Sequence, residues 1–300
     1  MIAAFDKDRK NLMNTVIPGV LTFKVPTAPE VPVVFDSPHS GTDYPDDFTF
    51  SLAETILRMG EDTYVEELYA DVPRLGAAFL KAHFPRTYID ANRAATDIDQ
   101  ELLDTPWPGP VTPSVKTASG IGLIWRMARP GQPVYDRKLT VAEVKARIGT
   151  YHEPYQRILM ENVERLADQF GGVWHVDCHS MPAISDERSP EGPGVHRADF
   201  VLGDRDGTTC AREFTDFVAS ELRAMGYRTA INDPFKGVEL VRMVGDPAKN
   251  RHSLQIEINR ELILNDTTKV KAAGFETLRA NVTKLAGRIC DFAKAKVKVA

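Results

Sequence analysis

The sequence predicts an α/β fold: a single domain over residues 1–300 with a mainly parallel, twisted sheet and helices on both faces. Two observations carry that expectation. Short apolar runs rich in β-branched and aromatic residues alternate with amphipathic helical stretches along the chain, the pattern of strand–helix–strand units. Two of these runs, VPVVFDSPHSG at 31–41 and VWHVDCHSMP at 173–182, close on an aspartate, a histidine and bend-forming neighbours. Both would deliver an imidazole to the carboxyl edge of the sheet, where ligands bind in open α/β folds.

Taken in order, residues 1–30 read as an irregular, proline-interrupted lead-in with a short edge strand near Val20–Val25. Val33, Val34 and Phe35 make the first central strand, and Pro38, Ser40 and Gly41 turn the chain beside His39. Leu52, Ile56 and Met59 recur at helical spacing. Asp62 then opens a second helical stripe through Val65, Leu68, Tyr69, Val72, Leu75 and Ala78, where an acid would serve as a cap. RTYID at 86–90 reads as the next strand, running into Asn92-Arg93.

From Pro106 to Pro133 prolines and glycines are dense, which predicts a long ordered loop covering a site. Thr140 and Glu143 form a capping box for a helix running to Phe170, kinked or split at Pro154. Strands follow at 173–178, 199–202, 228–231 and 253–258. Between them lies a helix capped by Thr208 or Thr209 and ended by Gly226, and a mostly helical tail spans 267–297.

Composition narrows the function. A net charge of −5 with scattered Lys and Arg provides no basic stripe for nucleic acid. The apolar runs are too short to span a membrane, and the amino-terminal MIAAFDKDRKN lacks the apolar core of a secretion signal, so a cytoplasmic protein is expected. Three cysteines without metal-type spacing read as reduced thiols. Cys178 would point to the face opposite His179.

Four features carry chemistry. His39 and His179 at neighbouring strand ends invite a metal, since neutral imidazole binds Zn2+ and a catalytic zinc takes three protein ligands. Asp36 and Asp177 are placed to orient the rings. Glu257 lies in the otherwise apolar strand LQIEIN, where a carboxylate must face something polar; Gln255 and Asn259 share its face. Its competing reading is a buried salt bridge. Asn92-Arg93 at a strand end could form a planar receptor for a substrate carboxylate, or a structural ion pair with Asp90, Asp97 or Asp99. His152 and His196 remain possible loop contacts.

This order of pieces resembles the zinc carboxypeptidase and aspartoacylase superfamily; DANR at 90–93 is similar to the DLNR of the acylases. SPHSGTDYP, GLIWR, YDRKLTVAEV, YHEPYQ, DCHSMP, VLGDRDGTTC, PFKG and LQIEINREL, spread over about residues 30–265, look more specifically like the segments of N-formylglutamate amidohydrolases. One departure concerns the metal. Carboxypeptidases carry His-x-x-Glu, whereas Thr42 stands three after His39, so the third ligand is expected elsewhere: Asp62 first, with Glu61 and Asp43 as alternatives.

The resemblance implies a zinc-carboxypeptidase-like fold, one zinc per chain and hydrolysis of N-formyl-L-glutamate to formate and L-glutamate in histidine degradation. Zinc would polarise the formyl carbonyl and activate water while Glu257 moves the proton. The dicarboxylate substrate needs cations, for which Arg93 leads and Arg126, Lys236 and Arg260 are further candidates. Two other readings keep much of this frame: another zinc-dependent acyl amino acid amidohydrolase or carboxypeptidase, and a non-catalytic binding protein.

Overall fold

A computed structural model of the chain describes residues 13–297; the amino-terminal segment judged to lack a secretion signal, 1–11, lies outside them. Among the described residues ten strands occur in chain order: β1 Thr15–Ile17, β2 Leu21–Lys24, β3 Val33–Ser37, β4 Ala78–Ala82, β5 Met127–Arg129, β6 Gln132–Pro133, β7 Val173–Met181, β8 Phe200–Gly203, β9 Thr229–Ile231 and β10 Arg251–Asn259. Eight of them form one sheet in the order β1-β2-β4-β3-β7-β10-β8-β9, and β5 and β6 pair as a separate ribbon. β4, β3, β7 and β10 run parallel at the centre. Antiparallel pairings of β2 with β4 and of β8 with β10 add the flanks, so the sheet is mainly parallel, as expected, with antiparallel joins outside its centre.

The two faces differ in chemistry. One carries Phe35, Phe79, Trp174, Val176, Cys178, Leu254, Ile256 and Ile258 against the helices Arg212–Ala224 and Phe275–Lys296, an apolar layer throughout. The other, under the helix Glu153–Phe170, combines apolar residues such as Val34, in one core with Leu159 and Val163 of that helix, with a column of polar side chains at the sheet centre. Register places Asp36 beside Asp177, Ser253 beside His175, Gln255 beside Asp177 and Glu257 beside His179. Because side chains alternate along a strand, these groups share one face. The lower part of the column is satisfied internally: Tyr155 Oη donates to Asp36 Oδ2 at 2.7 Å, and His175 bridges Asp36 Oδ1 (2.8 Å) and Ser253 Oγ (2.7 Å). Buried polar groups paired in this way avoid the cost of desolvation without a partner.

Four sequence expectations change. The stripe from Asp62 to Ala78 is not one helix: it breaks into short turns at Val65–Leu68 and Val72–Leu75 and then becomes β4. Gly76, at φ +89°, makes that break, a conformation glycine adopts without a Cβ penalty. RTYID is not a strand. Tyr88 N bonds back to Pro85 O and Asp90 N to Leu123 O, so the segment is a turn beyond β4. Neither Thr208 nor Thr209 caps the helix Arg212–Ala224; Thr209 Oγ1 instead donates to Ser253 O. The tail helix begins at Phe275 rather than 267.

A fifth change is smaller: the edge strand expected near Val20–Val25 is β2, which lies one strand in, with β1 outside it. Thr140 and Glu143 form the capping box, and the long helical segment is split by a wide turn at Ile148–His152 just before Pro154. No helix among the described residues is long and apolar enough to cross a membrane.

Candidate metal centre and active site

His39 leaves the end of β3 in a turn that only glycine permits. A Cβ on Gly41 would lie 2.4 Å from the backbone of His83 and Phe84, so the chain after His39 is pressed against the segment following β4. Asp62 is tied to this turn through its own backbone, Asp62 N donating to His39 O at 3.0 Å. Tyr64, in the left-handed region at φ 69°, then swings the chain into the next turn. His179 comes from the end of β7, level with Glu257 on β10.

The three side chains converge. Asp62 Oδ2 lies 3.0 Å from His179 Nδ1 and 3.5 Å from His39 Nδ1, and all three residues are buried. Ligand atoms about 2.05 Å from a tetrahedral zinc stand about 3.3 Å apart, so these spacings suit one small cation. His39 Nδ1 is buried with no hydrogen-bond partner among the described residues, an orphaned ligand atom aimed at the same point. Two imidazoles and a carboxylate are a zinc-type donor set. The residues therefore fit a metal ion.

Each donor is held from behind. His39 Nε2 lies 2.6 Å from Asp90 Oδ1, and His179 Nε2 lies 2.7 Å from Asp177 Oδ1. Carboxylates in these positions fix the ring orientation and leave Nδ1 free to coordinate. Asp62 Oδ1 accepts from Arg260 Nη2 (3.0 Å) and Ser180 Oγ (3.1 Å), leaving Oδ2 toward the histidines. Burial opposes charge on Asp62, but the contacts with His179 and His39 and the charge of Arg260 keep its carboxyl well below the usual range. Burial likewise works against a charged His179, and Asp177 and Asp62 outweigh it to raise its pKa well above the usual value.

Glu257 faces this centre from β10. Its Oε1 accepts from Gln255 Nε2 at 2.8 Å, and among the described residues it has no ion pair within 4 Å. Burial pushes its carboxyl up to about 7; the charges of His179 and Arg86 oppose the rise, and those of Asp62 and Asp177 add to it. A carboxyl near neutrality can accept and return a proton. Asn259, expected on the same wall, instead caps the turn after β10 through Glu261 N.

The expected carboxylate receptors fare differently. Asn92 is turned inward: its Nδ2 lies 2.9 Å from both Asp177 Oδ2 and His179 Nε2, and its Oδ1 accepts from Leu240 N. That places it behind His179, because its amide is already used by protein. Arg93 is buried, donating to Ile121 O and Asn92 O, with Asp97 4.0 Å away. Arg126 is clamped between Asp99 and Glu101. Arg260 is taken by Asp62, Ser180 and Met59 O. Lys236 is exposed and paired with Asp206, and its backbone packs against Gly203 of β8. Of the alternative third ligands, Glu61 bonds Tyr44 and Arg58, and Asp43 faces His83.

Two residues escaped sequence reading in their actual roles. Asp90, one of three acids expected as alternative partners of Arg93, contacts His39 and takes two bonds from Arg86. Arg86 was assigned to a strand; it stacks 5.2 Å over Trp125 and its charge couples to Asp62 and Glu257. His196 pairs with Glu261, and His152 contacts Arg93 O, so neither joins the cluster.

Comparison with known proteins follows this geometry. A family model described as N-formylglutamate amidohydrolase matches residues 31–264. The chain is 29% identical over 247 residues to an N-formylglutamate deformylase of Pseudomonas putida, covering 79% of this chain and 83% of that protein. A deformylase of the same name from Pseudomonas aeruginosa is 29% identical over 251 residues, covering 80% and 83%. The crystal structure of N-formylglutamate amidohydrolase from Ralstonia eutropha JMP134 superposes with a TM-score of 0.89 at 48% identity, covering 92% of this chain and 99% of that one.

Proposed function

The chain belongs to the N-formylglutamate amidohydrolase family, and on that premise we propose that it hydrolyses N-formyl-L-glutamate to formate and L-glutamate with a zinc ion held by His39, Asp62 and His179. The observation that carries the reading is the convergence of two imidazoles and one carboxylate at the carboxyl edge of the sheet, with Glu257 beside them. Zinc bound there would supply Lewis acidity toward the formyl oxygen and lower the pKa of water.

The protein's own groups do the rest. Glu257 Oε1 is held by Gln255, leaving Oε2 to take a proton from the attacking water and return it to the departing amine of glutamate. Proton return matters because an amide nitrogen leaves poorly as an anion. Asp90 and Asp177 hold the histidine rings, and Arg86, on Asp90, brings positive charge toward Asp62 and Glu257, where it would favour an oxygen that becomes anionic beside them.

Formate release by the purified protein, measured with formyl, acetyl and succinyl amino acids and short peptides, tests the reading. The expected result is a strong preference for N-formyl-L-glutamate. Faster turnover of acetyl amino acids or peptides would assign a different amide to the same centre.

A further inference from the structure

Beyond the metal centre, four cations gather around one wrapping segment, residues 114–128. Arg86 stacks on Trp125, Arg93 Nε donates to Ile121 O, and Arg188 Nη1 donates to Ala128 O at 3.1 Å. Lys116 sits in the turn Val115–Ala118 at the start of this segment, and its carbonyl accepts from Ile121 N, one hydrogen-bonded step from Arg93.

The anions in reach are largely committed. Asp90 serves His39 and Arg86. Asp97 accepts from Ser114 N, Ser114 Oγ and Thr117 Oγ1 and lies only at the limit of an ion pair with Arg93. Asp186, largely exposed, is 3.5 Å from Arg188. Lys116 Nζ, half-buried, makes no hydrogen bond or ion pair among the described residues. Burial, and then the repulsion of Arg93, Arg86 and Arg188, lower the pKa of its ammonium. Holding an unpaired ammonium among three guanidinium groups costs free energy that an incoming carboxylate would offset.

The cations also fall in an order. Arg86 bonds Asp90, which contacts His39 at the reacting centre, whereas Lys116 lies farther along the segment, tied to Arg93 only through Ile121. In a formylglutamate the α-carboxylate is attached one carbon from the scissile nitrogen, and the side-chain carboxylate stands two methylenes farther out. We propose that Lys116, with Arg188, forms the subsite for the substrate's side-chain carboxylate, while Arg86 and Arg93 face the α-carboxylate side. The assignment rests on the proposed deformylase activity and makes the loop 106–133 the source of acid specificity.

The test uses Lys116→Met, Lys116→Arg and Arg188→Gln in the full chain, with N-formyl-L-glutamate and N-formyl-L-glutamine as substrates. Lys116→Met should raise KM for the diacid by about tenfold or more with kcat nearly unchanged, and should alter kcat/KM for the glutamine compound by less than about twofold. Arg188→Gln should act in the same direction, and Lys116→Arg should recover much of the loss. Calorimetric titration with glutarate and its monoamide gives a readout independent of turnover: Lys116→Met should weaken the diacid and leave the monoamide unchanged. Equal losses on both substrates, or unchanged glutarate binding, would overturn the assignment. If wild type released formate from neither substrate, the deformylase reading would fall, and glutarate binding would still decide whether Lys116 holds a distal carboxylate.

Discussion

Asp62 divides its two oxygens: Oδ1 accepts from Arg260 and Ser180, and Oδ2 faces the Nδ1 atoms of His39 and His179. A carboxylate held on one side offers the other with little entropy left to lose. Replacing His39, Asp62 or His179 by alanine should therefore remove zinc and activity together, as metal analysis of the purified variants would read. Full zinc occupancy in any one would exclude that residue as a ligand. Asp90→Asn and Asp177→Asn keep the shape but lose the charge behind each ring, and each should weaken zinc binding roughly 10- to 100-fold. Glu257→Gln should retain zinc while kcat falls roughly 10²- to 10⁴-fold. A near wild-type rate would reduce Glu257 to a structural carboxylate.

At the scale of elements, the parallel strands were legible because β3, β7 and β10 are buried on both faces and their sequences announce it, with each polar exception marking the site face. His39, His179 and Glu257 stood out for that reason. Asp90 and Arg86 did not, because their partners lie across space: 51 residues separate His39 from Asp90. RTYID has the alternation of a strand, yet Pro85 and the bond to Leu123 O make it a turn. The helix expected to begin at Asp62 does not form, so the position of Asp62 rests on the His39 turn instead. That turn yields a prediction: Gly41→Ala should destabilise the fold by about 1–3 kcal/mol, since its Cβ would overlap backbone atoms that cannot move aside cheaply. Denaturant unfolding measures it.

The capping box at Thr140 gives a second element-level expectation. Thr140→Ala should cost about 1 kcal/mol. Its partner Glu143 is lowered to about 2 mainly by the hydrogen bond from Arg137. A depressed carboxylate pKa contributes stability above the ordinary carboxyl range, and that contribution is lost as pH falls toward about 2. The stability gap between wild type and Glu143→Gln should accordingly be larger at about pH 6 than at about pH 3.

For the molecule as a whole, the proposed ligands come from three places: the turn after β3, the segment before Val65–Leu68 and the end of β7. An ion bound to all three ties β3 to β7 and to the chain between β3 and β4, so zinc should raise Tm and a chelator should lower it. His39→Ala should have a Tm indifferent to either. The column Tyr155–Asp36–His175–Ser253 was invisible in the sequence, where Asp36 was assigned to orient His39; it joins the helix Glu153–Phe170 to three central strands. Periodicity finds such a face but not the partners that satisfy it.

The most direct measurement is formate release from N-formyl-L-glutamate by protein stripped of metal and then titrated with zinc. Activity should be lost on stripping and should return in proportion to added zinc, with the break at about one equivalent per chain, as three protein ligands at a single site require. Undiminished formate release from protein shown to be metal-free would contradict the account.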